Sequence, residues 1–281
     1  MSETPLPRVD AVHLIREVDE ALIGLLHDLA PGDWQKPAVG EWSVRDVAAH
    51  LLDGALRRLS LDRDRFSPPA PDRDLADYGE LVAHLNDLNA EWIRATQRLG
   101  PAVITDLLAH VCPQMADYFE SLDPESPAAF PVSWAGESTS KVWMDAAREF
   151  TERWHHQQQI REAIGAPGLD QERYLRPLLE TLIRALPRSY ASLESSEDTR
   201  VCIRVTDLDS LGWCLEKGPT GWELGAWRQD PPPETTIEVS SEVLWRLLTK
   251  GVSVSVAREQ TRVHGERELS EPFFSTLGIM A

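Results

Sequence analysis

The apolar residues of this chain change their spacing near residue 195, and that change limits the folds it can adopt. Before it, apolar residues recur at helical spacing, which predicts helices near residues 9–29, 77–99, 103–122, 140–164 and 173–193. Ser43 and Asp46 have the spacing of a capping box at the start of another helix. After it, apolar and polar residues alternate as in strands. We therefore predict a mainly α chain, with a helical bundle over residues 1–195 and a small α+β domain over residues 196–281.

The net charge and the apolar content argue against two classes of partner. The formal net charge is −18 and no basic face is evident, so we expect no nucleic-acid partner. No apolar run reaches the roughly 18 residues that a membrane span needs, so we expect no membrane partner either. The first ten residues lack the basic stretch and apolar core of an export signal. The sequence predicts a cytoplasmic protein that acts on small molecules, and it does not specify an oligomeric state.

The cysteines give no sign of a disulfide framework or of a cysteine zinc site. Cys112, Cys202 and Cys214 are odd in number, widely spaced and without a C-x-x-C pair. We therefore expect all three to be buried, unreactive thiols in a reducing, intracellular setting.

Two segments carry side chains that could bind a metal. Glu152 and His156 are four residues apart in a predicted helix, so their side chains lie on one face, a turn apart. His50, on the helix that begins near Ser43, could supply a third ligand. Two histidines and a glutamate leave a coordination position open, which is the pattern of catalytic rather than structural zinc. We predict that the cation lies between two helices in the core of the bundle, with the Glu152 carboxylate buried.

Other interpretations of the same residues remain open. A Glu and a His four apart are common on exposed helix faces, and the Glu152 face is nearly opposite the apolar stripe of its helix. His50 lies among apolar residues, where a histidine is often an ordinary core residue. His155 could replace His156 as the ligand. The sequence contains no nucleophilic Ser or Cys motif and no Gly-rich phosphate loop.

Three segments resemble the mycothiol-dependent maleylpyruvate isomerase family of the DinB-like superfamily. The first runs from Trp34 to Leu51 and contains Gly40-Glu-Trp-Ser-Val-Arg-Asp and His50. The second runs from Trp143 to Gly165 and contains Glu152-Arg-Trp-His-His. The third covers residues 263–280. The resemblance implies a DinB-like up-down helical bundle followed by a small α+β domain. It also implies that His50, Glu152 and His156 bind a divalent metal, most often zinc, and that mycothiol or another low-molecular-weight thiol is a cofactor.

The chain departs from the family at residue 159. Family members commonly carry Asp three residues after the ligand histidine, and this chain has Gln159, which can donate and accept hydrogen bonds but carries no charge. We expect Gln159 to contact the ligand or the cofactor. The resemblance further implies a catalytic arginine in the C-terminal domain; Arg258, Arg262 and Arg267 are the candidates, and Arg262 is our choice.

Two kinds of function follow from these expectations. The first is an enzyme that uses a thiol on a small electrophilic, carboxylate-bearing substrate, as an isomerase or a thiol transferase, or that activates water for metal-assisted hydrolysis. The second is a protein of the same fold that binds a metal or a small ligand without turnover, in sensing or in a stress response.

Overall fold

Helices account for most of residues 12–164 in the computed structural model, which describes residues 6–71, 73–75 and 77–278. They are α1 (Val12–His27), α2 (Val44–Arg57), α3 (Tyr78–Thr96), α4 (Pro101–Ser121) and α5 (Val142–Ile164). A short hairpin, β1 (Pro37–Val39) and β2 (Trp42–Ser43), precedes α2. The predicted mainly α class is confirmed. The first five residues, used for the expectation about export, and residues 279–281, which include the end of the third resembling segment, lie outside the described residues.

The start of α2 follows the predicted capping box. The Ser43 Oγ accepts a hydrogen bond from the Asp46 N–H at 3.3 Å, and the Asp46 Oδ2 accepts one from the Ser43 N–H at 3.1 Å. The two side chains thereby satisfy backbone donors that a helix start leaves free. At the other end of α2 the chain continues into a π-helical turn, Arg58–Arg63, which the sequence analysis did not predict. Helix α5 ends at Gly165, whose positive φ of 73° suits the left-handed position of a helix end.

The elements after residue 171 combine helices with one sheet. The helices are α6 (Glu172–Leu182), α7 (Leu186–Tyr190), α8 (Ser241–Leu248), α9 (Val254–Glu259) and α10 (Glu271–Phe274). The strands are β3 (Arg200–Val205), β4 (Gly212–Gly218), β5 (Gly221–Ala226), β6 (Thr235–Val239) and β7 (Arg262–Gly265). Their order is β5-β4-β3-β6-β7, with β3 and β6 parallel and the other neighbours antiparallel. The predicted change from helices to an α+β segment is confirmed, although β4 and α9 were not anticipated.

Contacts divide the chain into two units. Among the described residues, one unit holds those within 10–130 and 141–170, and the other holds residues 6–9, 131–140 and 171–278. Helices α6 and α7 thus belong to the unit that contains the sheet, although the sequence analysis put them in the bundle. The domain boundary between residues 195 and 196 stays a prediction.

The expectation of three free cysteines is wrong for Cys202 and Cys214, which form a disulfide. The antiparallel register of β3 and β4 places these residues directly opposite each other, with 4.0 Å between their Cα atoms. Their separation in sequence gives no hint of this pairing because it depends on which strands are neighbours. Cys112 is free and buried, as expected.

Buried charges connect α1, α2 and α5 around the bundle core. Arg153 of α5 is 1% exposed and its Nε lies 2.9 Å from Oδ1 of Asp19 on α1. Arg58, at the end of α2, donates to both carboxylate oxygens of Asp145, at 2.6 and 2.9 Å, and to Glu149 at 3.0 Å. These pairs fix the helices that carry the predicted metal ligands. None of the helices in the described part of the chain is both long and apolar enough to span a membrane.

Candidate metal centre

Helices α2 and α5 bring the three predicted ligands together. His50 lies in the middle of α2, and Glu152 and His156 lie one turn apart on α5. One possible ligand atom from each side chain lies within 4.8 Å of the other two, and the structure forms no other such cluster of three or more His, Cys, Asp or Glu residues among those it describes. His155 is not part of this cluster. The geometry therefore groups the residues that the resemblance implied.

The carboxylate of Glu152 lies between the two imidazoles. Its Oε1 is 3.1 Å from the His50 Nε2 and 3.2 Å from the His156 Nε2. The two imidazole rings meet edge to face with 4.7 Å between their centroids. Ligand atoms about 2.05 Å from a tetrahedral zinc ion are separated by about 3.3 Å, so the two distances from the Glu152 Oε1 match those expected around such an ion. Without a cation, the same distances suit hydrogen bonds from the two imidazoles to Oε1.

The burial of the site differs from the expectation. The side chains of His50 and His156 are 9% and 13% exposed, but that of Glu152 is 42% exposed. The side chain of Glu152 is therefore more exposed than the prediction of a buried carboxylate implies. Glu152 projects from the side of α5 that lies away from the apolar stripe, and one side of the cluster is open to water.

The charges in the cluster shift the three pKa values in different directions. Partial burial raises the pKa of Glu152, but the neighbouring His156 and His50 outweigh this effect and hold it well below the usual carboxyl value. Burial lowers the pKa of His50, and the hydrogen bond with Glu152 offsets only part of this effect. Burial also lowers the pKa of His156, but Glu152 and Gln159 more than compensate, so that it lies above the usual imidazole value. Glu152 is therefore an anion at neutral pH, as a metal ligand must be.

The side chains around the ligands are only partly those that the sequence indicated. Gln159 contacts His156, with its Oε1 2.8 Å from the His156 Nδ1, and this contact leaves its expected role toward a cofactor as a prediction. Trp42, from the β1–β2 hairpin, lies against the His50 ring at a centroid distance of 5.1 Å. The sequence analysis assigned Trp42 no role because it missed the hairpin. The signal was Gly40, which has a positive φ of 53° in the turn between the strands.

The candidate arginines lie in the other unit and differ in their surroundings. Arg258 on α9 donates to both carboxylate oxygens of Glu271, at 2.9 and 2.5 Å, and packs against the Phe274 ring. Arg262 is exposed on β7, an edge strand of the sheet, and Arg267 is exposed after the end of that strand. A catalytic role for Arg262 stays a prediction.

Fold and site together define a helical-bundle protein with a small α+β unit and a His₂Glu cluster between two bundle helices. The family model described as the mycothiol maleylpyruvate isomerase N-terminal domain matches residues 15–161, more than half of the chain. The chain belongs to this family, which confirms the resemblance seen in the sequence.

Solved structures support the same fold. A crystal structure of the mycothiol-dependent maleylpyruvate isomerase is similar to this chain at 14% sequence identity with a TM-score of 0.52, and the match covers 86% of this chain and 88% of that one. A crystal structure of a mutant of that enzyme, with a histidine replaced by alanine, gives the same values. At this identity the match establishes the fold alone. A sequence comparison with curated proteins gives no significant match.

Proposed function

We propose that the protein is a metal-dependent enzyme that uses a low-molecular-weight thiol, such as mycothiol, on a small electrophilic substrate that carries a carboxylate. The observation that supports this proposal is the convergence of His50, Glu152 and His156 within 4.8 Å, in a bundle that belongs to this family. The donor set of two imidazoles and one carboxylate suits a divalent cation, most often zinc. A cation held there would act as a Lewis acid and lower the pKa of a thiol or water next to it.

The residues of the site have separate tasks in this reaction. His50, Glu152 and His156 would hold the cation, and thiol and substrate would approach it from the exposed side of Glu152. The sulfur of the thiol adds to one carbon of an activated double bond, and the substrate then turns about the resulting single bond. Expulsion of the thiolate restores the double bond in the other geometry, so the thiol is not consumed. If the thiolate stays attached and the neighbouring carbon takes up a proton, the outcome is transfer of the thiol to the substrate.

We further propose that Arg262 binds the carboxylate of the substrate. A guanidinium binds a carboxylate through two parallel hydrogen bonds. Arg258 already makes such a pair with Glu271, whereas Arg262 is exposed on an edge strand. Arg262→Ala is expected to raise the KM for a substrate with a carboxylate much more than Arg267→Ala does. Equal effects of the two variants would reject this assignment.

The first experiment on the proposed function is a metal measurement followed by an activity assay. Protein purified without a His tag is expected to contain about one divalent metal per chain. His50→Ala is expected to lose this metal, and His110→Ala, which removes an exposed histidine from α4, is expected to retain it. The loaded protein is then assayed with maleylpyruvate and, separately, with a thiol-reactive electrophile, each with and without mycothiol. A wild type that neither contains nor takes up zinc, nickel or iron(II) would reject the proposal.

We also propose that the protein acts in the cytoplasm, where low-molecular-weight thiols are kept reduced. The Cys202–Cys214 disulfide argues against this location, because disulfides rarely persist in a reducing compartment. The state of these two cysteines in protein taken directly from cells is therefore the test of the location.

A further inference from the structure

We infer that Gln159 and His155 orient His156 toward the cation through a chain of two hydrogen bonds. This inference rests on the metal site of the proposed function, and it adds two positioning residues to that site. It concerns His155 in particular, which is not a member of the cluster.

The chain of hydrogen bonds runs along one face of α5. The Nδ1 of His156 lies 2.8 Å from the Oε1 of Gln159, and the Nε2 of Gln159 lies 3.3 Å from the Nε2 of His155. A carboxamide oxygen can only accept a hydrogen bond and its NH₂ group can only donate. If His155 accepts from the amide NH₂, the amide oxygen must face His156, and the Nδ1 of His156 must carry the proton.

The position of this proton decides whether His156 can bind a cation. A neutral imidazole with its proton on Nδ1 has its lone pair on Nε2. The Nε2 of His156 is the atom that lies 3.2 Å from the Oε1 of Glu152, inside the cluster. His155 is buried at 6% exposure, so its ring is held in place and can fix the orientation of the amide. Gln159 and His155 thus favour the form of His156 that a metal requires.

The two histidine ligands differ in this respect. The Nδ1 of His50 is buried and has no hydrogen-bond partner among the described residues. Ligand histidines usually donate their second ring N–H to an oriented acceptor, and loss of that acceptor typically weakens metal binding by about 10–100-fold. Among the described residues only His156 has such an acceptor, so orientation of the two histidines depends mainly on Gln159.

The absence of charge on Gln159 leads to a second expectation. A carboxylate in this position would polarise the Nδ1–H bond more strongly and make the Nε2 of His156 a better donor to the metal. Gln159→Glu keeps the length of the side chain and the accepting oxygen. We therefore expect this variant to bind zinc at least as tightly as the wild type, whereas Gln159→Leu, which has no acceptor, is expected to bind about 10–100-fold more weakly.

The experiment measures zinc affinity by competition with a chromophoric chelator, and it records the absorption spectrum of each protein loaded with cobalt(II). The variants are Gln159→Leu, Gln159→Glu and His155→Phe, which keeps a ring in the buried position. Gln114→Leu and His110→Phe, on α4, are the matched controls. The wild type and both controls are expected to bind zinc equally well, and Gln159→Glu at least as tightly. His155→Phe is expected to bind zinc more weakly than these proteins, and Gln159→Leu the most weakly. The cobalt spectrum is expected to change in His155→Phe and Gln159→Leu. Circular dichroism establishes that each variant is folded.

The outcomes separate this inference from the proposed function. If the wild type binds zinc and both Gln159→Leu and His155→Phe bind it equally well, the metal site stands and the inference is wrong. If only His155→Phe matches the wild type, His155 has no positioning role and the inference is likewise overturned in its stated form. If the wild type binds no zinc or cobalt, the proposed function and the inference fail together.

Discussion

Replacing Arg153 by methionine removes a guanidinium that is 1% exposed, in the helix that carries two of the three proposed ligands. Its Nε lies 2.9 Å from one carboxylate oxygen of Asp19 and 3.0 Å from the other, and a second nitrogen contacts the Cys112 Sγ at 3.2 Å. Asp19 itself is 3% exposed. The substitution therefore leaves a carboxylate inside the bundle without its cation.

The size of the effect follows from this burial. Removing one partner of a buried ion pair typically costs about 3–5 kcal/mol, because the remaining charge has lost both water and its counterion. We expect a loss of this size in the free energy of unfolding at pH 8. Methionine is unbranched and fills much of the volume of the arginine side chain, so loss of packing is a smaller part of the cost.

A second substitution separates the charge effect from packing. In the double variant Arg153→Met with Asp19→Leu, no unpaired carboxylate is left from this pair. We expect its loss to be smaller than the sum of the two single losses, by roughly 0.5–3 kcal/mol. Arg16→Met is the matched control, because Arg16 also pairs between two helices, from α1 to Asp117 and Glu120 on α4, but is 31% exposed. The free energy of unfolding of Arg16→Met is expected to fall by less than about 1 kcal/mol.

Denaturation in urea, followed by far-ultraviolet circular dichroism, gives the free energies of unfolding of the wild type and of the four variants. The slope against urea concentration shows whether each variant still unfolds from a comparably compact state. If Arg153→Met costs no more than Arg16→Met, then burial does not determine the cost of breaking the pair, and the reasoning is wrong. Strict additivity of Arg153→Met and Asp19→Leu would show that the two side chains do not interact energetically.

Three further predictions concern pH, thiols and metal removal. Burial raises the pKa of Asp19 to about 6, against the opposing effect of Arg153. Asp19 therefore contributes stability that is present below about pH 4 and is lost as the pH rises through about 6. Between pH 4 and 7, urea denaturation is expected to show the wild type losing up to about 3 kcal/mol of unfolding free energy relative to Asp19→Asn, and a constant difference would contradict this. Thiol titration in denaturant is expected to find one reactive thiol per chain before reduction, from Cys112, and three after it; three before reduction would mean that Cys202 and Cys214 are not bonded. Free metal at 100 times its dissociation constant is expected to stabilise the protein by about 2.7 kcal/mol. A chelator should therefore lower the melting temperature of the wild type but not that of His50→Ala. Equal shifts in the two proteins would mean that the cation binds elsewhere.

The parts of the site that the sequence predicted correctly are those set by local geometry. Glu152 and His156 share a face of α5 because residues four apart on a helix always do, and Ser43 and Asp46 cap α2 for a similarly local reason. The contacts of Gln159 with His156 and His155 also follow helical spacing, at three and four residues, so the sequence contained them as well. His50 was only a possible third ligand from its sequence, because no local pattern connects it to α5; the family resemblance strengthened that choice.

Only the tertiary structure decided which distant residues meet and how much water reaches them. It brought His50 within 3.1 Å of Glu152 and left the Glu152 side chain 42% exposed, where the sequence analysis expected burial. It also placed Cys202 opposite Cys214, through a strand register that depends on long-range packing. Helical periodicity arises from bonds between near neighbours, so a single sequence displays it. Register, burial and convergence depend on the free energy of the whole packed chain, and no short segment contains that information.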